Sequence, residues 1–274
     1  MIKAGVIGWP IGHTLSPRLH GYWLDQFNIE GSYLALPVQP DYLQNALQEF
    51  KLAGYKGLNV TVPHKETVLD FLDDITAAAR TLGAVNTIVI ENGLFKGSNT
   101  DGFGFIENLK SGQPAFSVSG KSAVVLGAGG AARAVVAALI DQGAGEILLL
   151  NRTVERAEQL ALDLGGPVRV LDWNQRADCL ARAALLVNTT TLGMTARPAL
   201  DLALDDLPAD TLVTDIVYTP LRTTLLNAAA ARGNPVVDGI GMLLHQARPG
   251  FAAWFGVEPR VDQGLRDHVL AGLK

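Results

Sequence analysis

The sequence predicts an α/β protein of two α/β domains, the second of them doubly wound around a mostly parallel sheet. Three observations carry this. Strand-like runs alternate with helix-like runs almost throughout. A polar, Gly- and Pro-bearing stretch at 111–121 (SGQPAFSVSGK) interrupts the alternation, which then restarts. A glycine-rich turn, GAGGAA at 127–132, follows an apolar strand and opens an alanine-rich helix. The length of 274 residues fits one large domain or two ordinary ones.

The elements follow in order. In the first third, β-branched and apolar runs place strands at 2–7, 32–38, 57–61 and 85–91, with helices at 17–27, 42–52 and 74–82 between them. Pro17 suits a first helical turn, where its missing N–H costs nothing, with Ser16 as the expected N-cap. Asn92-Gly93, ahead of a short run at 94–96, is a hairpin turn signal. After the linker-like stretch come a strand at 123–126, a helix at 131–142 and a strand at 146–150. Further strands are expected at 185–188, 212–217 and 235–237, and the tail from Met242 reads as helical without another strand.

Composition narrows the function classes. At 48% hydrophobic and 18% charged, the chain can bury a sizeable core. Lys and Arg number 22 against 27 Asp and Glu, a net charge of −5, so there is no basic footprint for nucleic acid or an anionic membrane. No apolar run approaches the roughly 18 residues of a spanning helix, and MIKAGVIGWP reads as strand and turn rather than signal peptide. The single cysteine, Cys179, leaves no intramolecular disulfide framework and no Cys-rich metal site, and the five histidines are scattered. A cytoplasmic protein with a small-molecule substrate and no metal is the expectation, as monomer or homodimer.

The glycine-rich turn indicates a cofactor. Gly127-x-Gly129-x-x-Ala132 fits the dinucleotide fingerprint of Rossmann-like domains in its G/A form. The first glycine makes the tight turn, the second lets backbone approach a pyrophosphate, and the helix start presents free N–H groups to the anion. Gly127, Ala128, Gly129, Gly130 and Ala131 are the expected contacts. An NAD site usually ends its second strand with Asp or Glu to hold the ribose 2′-hydroxyl. Here Asn151 stands there, followed by Arg152, Thr153 and, one turn on, Arg156. Two arginines and no carboxylate match the 2′-phosphate of NADP. Thr153 is also a candidate helix cap.

A hydride carrier needs a polar partner site. Polar residues gather at strand ends and turns of the first third: His13, Thr14 and Ser16; Asn59, Thr61 and Lys65; Asn86; Asn99, Thr100 and Asp101. Such a set suits a polyhydroxylated ligand carrying a carboxylate. A lysine can accept or relay the proton lost when a secondary alcohol is oxidised. Composition alone leaves the plainer alternatives open: Lys65 as a solvated residue at the start of a short helix, Asp101 as an N-cap.

Nine segments in order, GHTLSPRLH (12–20), NVTVPHK (59–65), GAVNT (83–87), NTDG (99–102), GAGGAA (127–132), NRT (151–153), NTTTLGM (188–194), DIVYTP (215–220) and DGIGMLLHQA (238–247), resemble the shikimate dehydrogenase family over nearly the whole chain. The resemblance implies an NADP-dependent enzyme that reversibly reduces 3-dehydroshikimate to shikimate in aromatic amino-acid biosynthesis. It implies Lys65 and Asp101 as the catalytic pair, Thr14 and Ser16 at the carboxylate, and Asn59, Thr61, Asn86 and Gln246 at ring hydroxyls or beside the carboxylate. Tyr218 would reach the substrate from the cofactor side; Thr189, Met194, Ile216 and Gly239 would border the nicotinamide. It also implies C-terminal helices that return to the substrate domain, giving a substrate-binding part of 1–103 with 241–274 and an NADP part of 104–240. Thr14 stands where the family usually has serine, and Gly21 where asparagine is common. Two other readings stand beside this one: a quinate/shikimate dehydrogenase of relaxed specificity, and an NADP-binding sensor without chemistry, which would be expected to lose Lys65 or Asp101.

Overall fold

The computed structural model describes residues 1–273. The chain divides into two compact units, one of residues 1–100 with the C-terminal segment from Leu244, the other Asp101–Leu243.

The first unit begins with β1 (Ile2–Gly8), α1 (Ser16–Gln26), β2 (Gly31–Pro37), α2 (Leu43–Leu52) and β3 (Tyr55–Val60). It continues through α3 (His64–Thr67), β4 (Asp74–Ile75), α4 (Ala77–Leu82), β5 (Thr87–Glu91) and β6 (Leu94–Ser98). Its six-stranded sheet has the order β2-β1-β3-β5-β6-β4. β1 runs parallel to β2 and β3, whereas β5 is antiparallel to β3 and β6. Asn92 (φ 52°) and Gly93 (φ 78°) form the β5–β6 turn, the two positive φ values that a two-residue hairpin demands.

Three expectations change here. The helix expected at 74–82 is a short strand, β4, pairing with β6, followed by α4. Thr76 causes the break: its extended backbone (φ −58°, ψ 151°) ends the strand, and its hydroxyl accepts from Ala79 N at 3.3 Å to start the helix. The strand expected from residue 85 begins at Thr87, because Val85 N is committed to Lys65 O at 2.8 Å. Ser16 is not the N-cap of α1 but its first residue. Leu15 is already helical (φ −88°, ψ −5°), and the hydroxyl of Thr14 accepts from Ser16 N at 3.3 Å.

The second unit opens with α5 (Asp101–Gly112), so the linker-like stretch expected from 111 starts only after this helix. Then follow β7 (Ser122–Leu126), α6 (Gly130–Asp141), β8 (Glu146–Leu150), α7 (Val154–Leu164), β9 (Val168–Leu171) and β10 (Leu185–Asn188). β11 (Leu212–Asp215), α8 (Thr224–Ala231) and β12 (Val236–Val237) complete the sheet, whose strands are all parallel in the order β12-β11-β10-β7-β8-β9. The order reverses between β7 and β10, the switch point where open α/β sheets place ligands. Sequence reading missed β9, whose run VRVL carries an arginine and sits at the sheet edge.

The central strands read as continuous apolar runs because both faces are buried. Val125, Leu149 and Val187 face one core with Val135 and Leu139 of α6, while Leu126, Leu150 and Leu186 face the other with Leu225 and Leu226 of α8.

The tail is helical as expected: α9 (Ile240–Phe255) and α10 (Gln263–Leu270). From Leu244 onward it belongs to the first unit, the return that the family resemblance implies. In that unit, Leu43 and Leu47 of α2 pack with Ile7, Leu58, Val60 and Ile88 into one core. Trp23 of α1 and Phe251 of α9 meet ring to ring at 5.2 Å, and Trp254 Nε1 donates to Ile88 O at 3.0 Å. Gly57 permits that last contact, since a Cβ there would lie 1.9 Å from Trp254 Nε1.

Candidate active site

In the first unit, hydrogen bonds bring most of the expected substrate residues into one polar network. Thr14 and Ser16 stand at the start of α1, where Thr14 Oγ1 donates to Ser16 Oγ at 3.2 Å. Asn59, in β3, is buried; its Nδ2 donates to Asn86 O at 3.0 Å and to Thr87 Oγ1 at 3.1 Å, and its Oδ1 accepts from Tyr33 Oη at 2.5 Å. Both amide hydrogens of Asn59 are thereby spent, which leaves this side chain one acceptor lone pair for a ligand. Asn86, just before β5, accepts at Oδ1 from Thr87 Oγ1 (2.9 Å) and Thr100 N (2.9 Å), and its Nδ2 donates to Gln246 Oε1 at 3.4 Å. Thr100 Oγ1 donates to Gln246 O at 2.8 Å, which fixes α9 against the end of the strand region.

Lys65 lies on the single turn of α3, half-buried. β3 stops at Val60, and a turn closed by His64 N to Thr61 O (2.9 Å) swings the chain from strand into α3. Pro63 sits inside that turn, where it cannot extend the strand. His64, the buried first residue of α3, donates from Nε2–H to Val38 O at 2.8 Å. No group of three or more metal-capable side chains exists among the described residues. Thr61, partly buried, follows β3 directly.

In the second unit, Asp101 is the first residue of α5 and partly buried. The fingerprint sits where the sequence places it, between β7 and α6. Gly127 has φ +109°, and a Cβ there would lie 2.6 Å from Thr189 Oγ1, so only glycine fits. Gly129 and Gly130 face open space at the N-terminus of α6. An uncovered helix start with room for a backbone-hugging group fits a pyrophosphate. Asn151 directly follows β8, and its Nδ2 donates to Thr153 O at 2.7 Å; Arg152 and Arg156 are exposed beside it. Thr153 takes the N-cap position of α7, but its side chain makes no capping bond, so that part of the expectation falls.

Thr189, Met194, Ile216, Tyr218 and Gly239 follow the C-terminal ends of β10, β11 and β12. A buried carboxylate ties the ends of β10 and β11 together. Asp215 accepts from Asn188 Nδ2 (3.0 Å), Val217 N (3.0 Å) and Thr223 Oγ1 (2.8 Å), and Asn188 in turn holds Thr190 N and Leu192 O. Burial pushes the Asp215 carboxyl above its ordinary value, and these three donors oppose the shift. Thr189 Oγ1 donates to Leu126 O at 2.7 Å, Met194 is exposed, and Tyr218 is mostly buried, which raises its phenol. Gly239 lets the chain pass close to Ile216, whose carbonyl would sit 2.4 Å from a Cβ.

Sequence reasoning missed the side chains that complete these networks: Tyr33, Thr87 and Asp215. Tyr33 and Thr87 read as ordinary strand residues, and only the partner across the sheet distinguishes them. Asp215 carried a signal, an acidic residue closing an apolar strand.

A parallel sheet with its glycine-rich turn at the switch point, joined to a second α/β unit with a clustered polar site, defines a two-domain dinucleotide-dependent oxidoreductase. Residues 6–88 match the family model "Shikimate dehydrogenase substrate binding domain", and residues 110–196 match "Shikimate / quinate 5-dehydrogenase". A shikimate dehydrogenase (NADP(+)) of Paramagnetospirillum magneticum is 56% identical over 98% of both chains. Among solved structures, shikimate 5-dehydrogenase of Thermus thermophilus, in complex with NADP(H) and shikimate, is 37% identical with a TM-score of 0.88 over 99% of this chain and 100% of that one. Quinate dehydrogenase of Corynebacterium glutamicum, in complex with NAD, is 33% identical with a TM-score of 0.92 over 98% and 99%. The chain belongs to the shikimate dehydrogenase family.

Proposed function

We propose that this chain is an NADP-dependent shikimate dehydrogenase, interconverting 3-dehydroshikimate and shikimate. The observation that carries the proposal is the whole-length likeness, at 56% identity, to a relative of that name. The residues of this chain fit the assignment. The α6 N-terminus with Gly127–Ala131 is suited to the pyrophosphate, and Arg152 and Arg156, with Asn151 and Thr153, to the 2′-phosphate. Thr189, Met194, Ile216 and Gly239 would border the nicotinamide, which when bound supplies or takes the hydride at its C4.

On the substrate side, Thr14 and Ser16 would donate to the carboxylate, and Asn86, Gln246, Thr61 and Asn59 would meet the ring hydroxyls, Asn59 through its remaining lone pair. Tyr218 would approach from the cofactor side. In the oxidising direction the C3 hydroxyl must lose its proton as the hydride leaves. Lys65 Nζ takes or relays that proton, and Asp101 is proposed to act with it by hydrogen-bonding and orienting the reacting group. The substrate part is taken as 1–103 with 241–274 and the NADP part as 104–240. A single cysteine fits a reducing, cytoplasmic compartment, and the chain is proposed to act there as a monomer or homodimer.

The test is kcat/KM for shikimate and quinate, each with NADP and NAD, on the wild type and Lys65→Ala. Shikimate with NADP is expected to win, and Lys65→Ala to lose about 10²–10⁴-fold in kcat, the range for a general acid–base group. Comparable values for quinate would remove strict specificity, and an undamaged Lys65→Ala would remove the proton role.

A further inference from the structure

The segments proposed to border the nicotinamide, 188–194 and 215–218, leave the neighbouring strands β10 and β11, and both are tied to side chains that no role above accounts for. Asn188, the last residue of β10, is fully buried. Its amide is used completely. Nδ2 donates to Leu192 O at 3.1 Å and to Asp215 Oδ1 at 3.0 Å, while Oδ1 accepts from Thr190 N at 3.0 Å and Thr190 Oγ1 at 2.8 Å. Thr190 Oγ1 accepts in turn from Leu192 N at 3.0 Å. The stretch from Asn188 to Leu192 is therefore wound around the Asn188 side chain.

Asp215, the last residue of β11, fixes that amide from the neighbouring strand. It is fully buried, and its Oδ1 accepts from Val217 N at 3.0 Å as well as from Asn188. Its Oδ2 accepts from Thr223 Oγ1 at 2.8 Å, at the cap of α8. Farther along, the two segments meet again where Thr195 N donates to Thr219 O at 2.9 Å. Thr189 sits inside this frame: its N and Oγ1 donate to Leu126 O, at 2.8 and 2.7 Å, directly before the first glycine of the fingerprint. A Cβ at Gly127 would lie 3.1 Å from Thr190 Cγ2, so Thr190 turns its methyl to the glycine turn and its hydroxyl inward to Asn188.

We propose that Asp215, acting through Asn188, is a positioning residue for the nicotinamide half of the cofactor: the pair sets the mutual placement of the segments that carry Thr189, Met194, Ile216 and Tyr218. This rests on the NADP reading above. Without the carboxylate, Asn188 Nδ2, Val217 N and Thr223 Oγ1 lose their shared acceptor at a fully buried site, where an unmet donor is costly. The two segments then lose their common anchor. The glycine turn and the exposed arginines, suited to the other half of the cofactor, keep their own local geometry.

The experiment titrates NADPH and adenosine 2′,5′-bisphosphate, which lacks the nicotinamide, into the wild type and three variants by calorimetry, with kcat for shikimate oxidation measured alongside. An unfolded fraction lowers the binding stoichiometry and not the affinity, so partial unfolding cannot imitate the effect. Asp215→Ala is expected to raise Kd for NADPH about 3–10-fold and to leave Kd for the bisphosphate within about twofold, as loss of buried hydrogen bonds at one end of the ligand site would give. Its kcat falls roughly 10–100-fold, the cost of a misplaced reacting group. Asp215→Asn keeps an oxygen for Asn188 and Val217 and stays within about threefold of the wild type in Kd and kcat. Thr190→Val keeps the methyl against Gly127, loses only the inward hydroxyl, and shows the same NADPH-selective loss at about two- to fivefold; it decides the matter if Asp215→Ala does not fold. If the variants weaken both ligands equally, or neither, the positioning role is overturned and the NADP reading stands. Equal damage in Asp215→Asn and Asp215→Ala overturns it too. If the wild type binds neither NADPH nor the bisphosphate, the NADP reading and the inference both fall.

Discussion

His20 should make the first unit sensitive to mild acid. Burial lowers its pKa from 6.5 to about 3, with the Asn59 side chain opposing the shift in part. The folded protein thus holds fewer protons at this site than the unfolded chain between those two values. Stability from this group is complete above pH 6.5 and is lost as pH falls toward 3. The full shift corresponds to about 5 kcal/mol at about 1.4 kcal/mol per unit, of which about 2 kcal/mol falls between pH 7 and pH 5. His20→Phe retains an aromatic face against Tyr33 and removes the titration. Urea unfolding followed by tryptophan fluorescence at pH 7 and pH 5 reads the difference, since Trp23 and Trp254 lie against the His20 ring. The variant's absolute stability carries a packing contribution, but its pH slope does not. The wild type is expected to lose about 2 kcal/mol more than His20→Phe over that interval. Equal losses would refute the burial argument for this histidine.

Two further changes probe the cofactor end and the sheet. Arg152→Ala should raise KM for NADP by roughly 10–100-fold, the loss of a charge-assisted bond to a phosphate, and leave KM for NAD nearly unchanged; equal effects would remove the 2′-phosphate assignment. Gly57→Ala should destabilise by at least about 3 kcal/mol, visible as a fall in Tm, because its Cβ would meet Trp254 Nε1 at 1.9 Å and Ile88 O at 2.2 Å and break their 3.0 Å hydrogen bond. An unchanged Tm would mean that β3 and α9 are not packed this closely.

How much of the molecule was legible depended on how far apart the interacting residues are in the chain. The dinucleotide turn was fully readable, since strand, glycines and helix are contiguous at 122–141 and each glycine's task is a local backbone requirement. The hairpin at Asn92-Gly93 was readable for the same reason. The start of α1 was not: Ser16 has the right chemistry for a cap, but Leu15 takes the cap position and Ser16 is already the first helical residue, and nothing local to that dipeptide separates the two outcomes. The segment 74–82 misled because Asp74 and Ile75 are held by pairing with β6, a contact with Lys96 and Gly97 well beyond the reach of local patterning. The expected site residues lay at strand ends, as a sequence of polar residues after apolar runs announces. Which of them touch was hidden, because Tyr33 meets Asn59 and Asn86 meets Gln246 across separations of 26 and 160 residues.

The sequence by itself determined the α/β alternation, the cofactor turn with its arginine pair, and membership of the family, because short contiguous patterns encode backbone geometry and the chemistry presented there. Only the tertiary structure decided that β5 runs antiparallel to β3, that the amide hydrogens of Asn59 are already spent, and that a neutral histidine lies flat beneath Tyr33. Those facts depend on burial and on partners brought together from distant parts of the chain. A hydrogen bond or a desolvation cost exists only once both of its sides are in place.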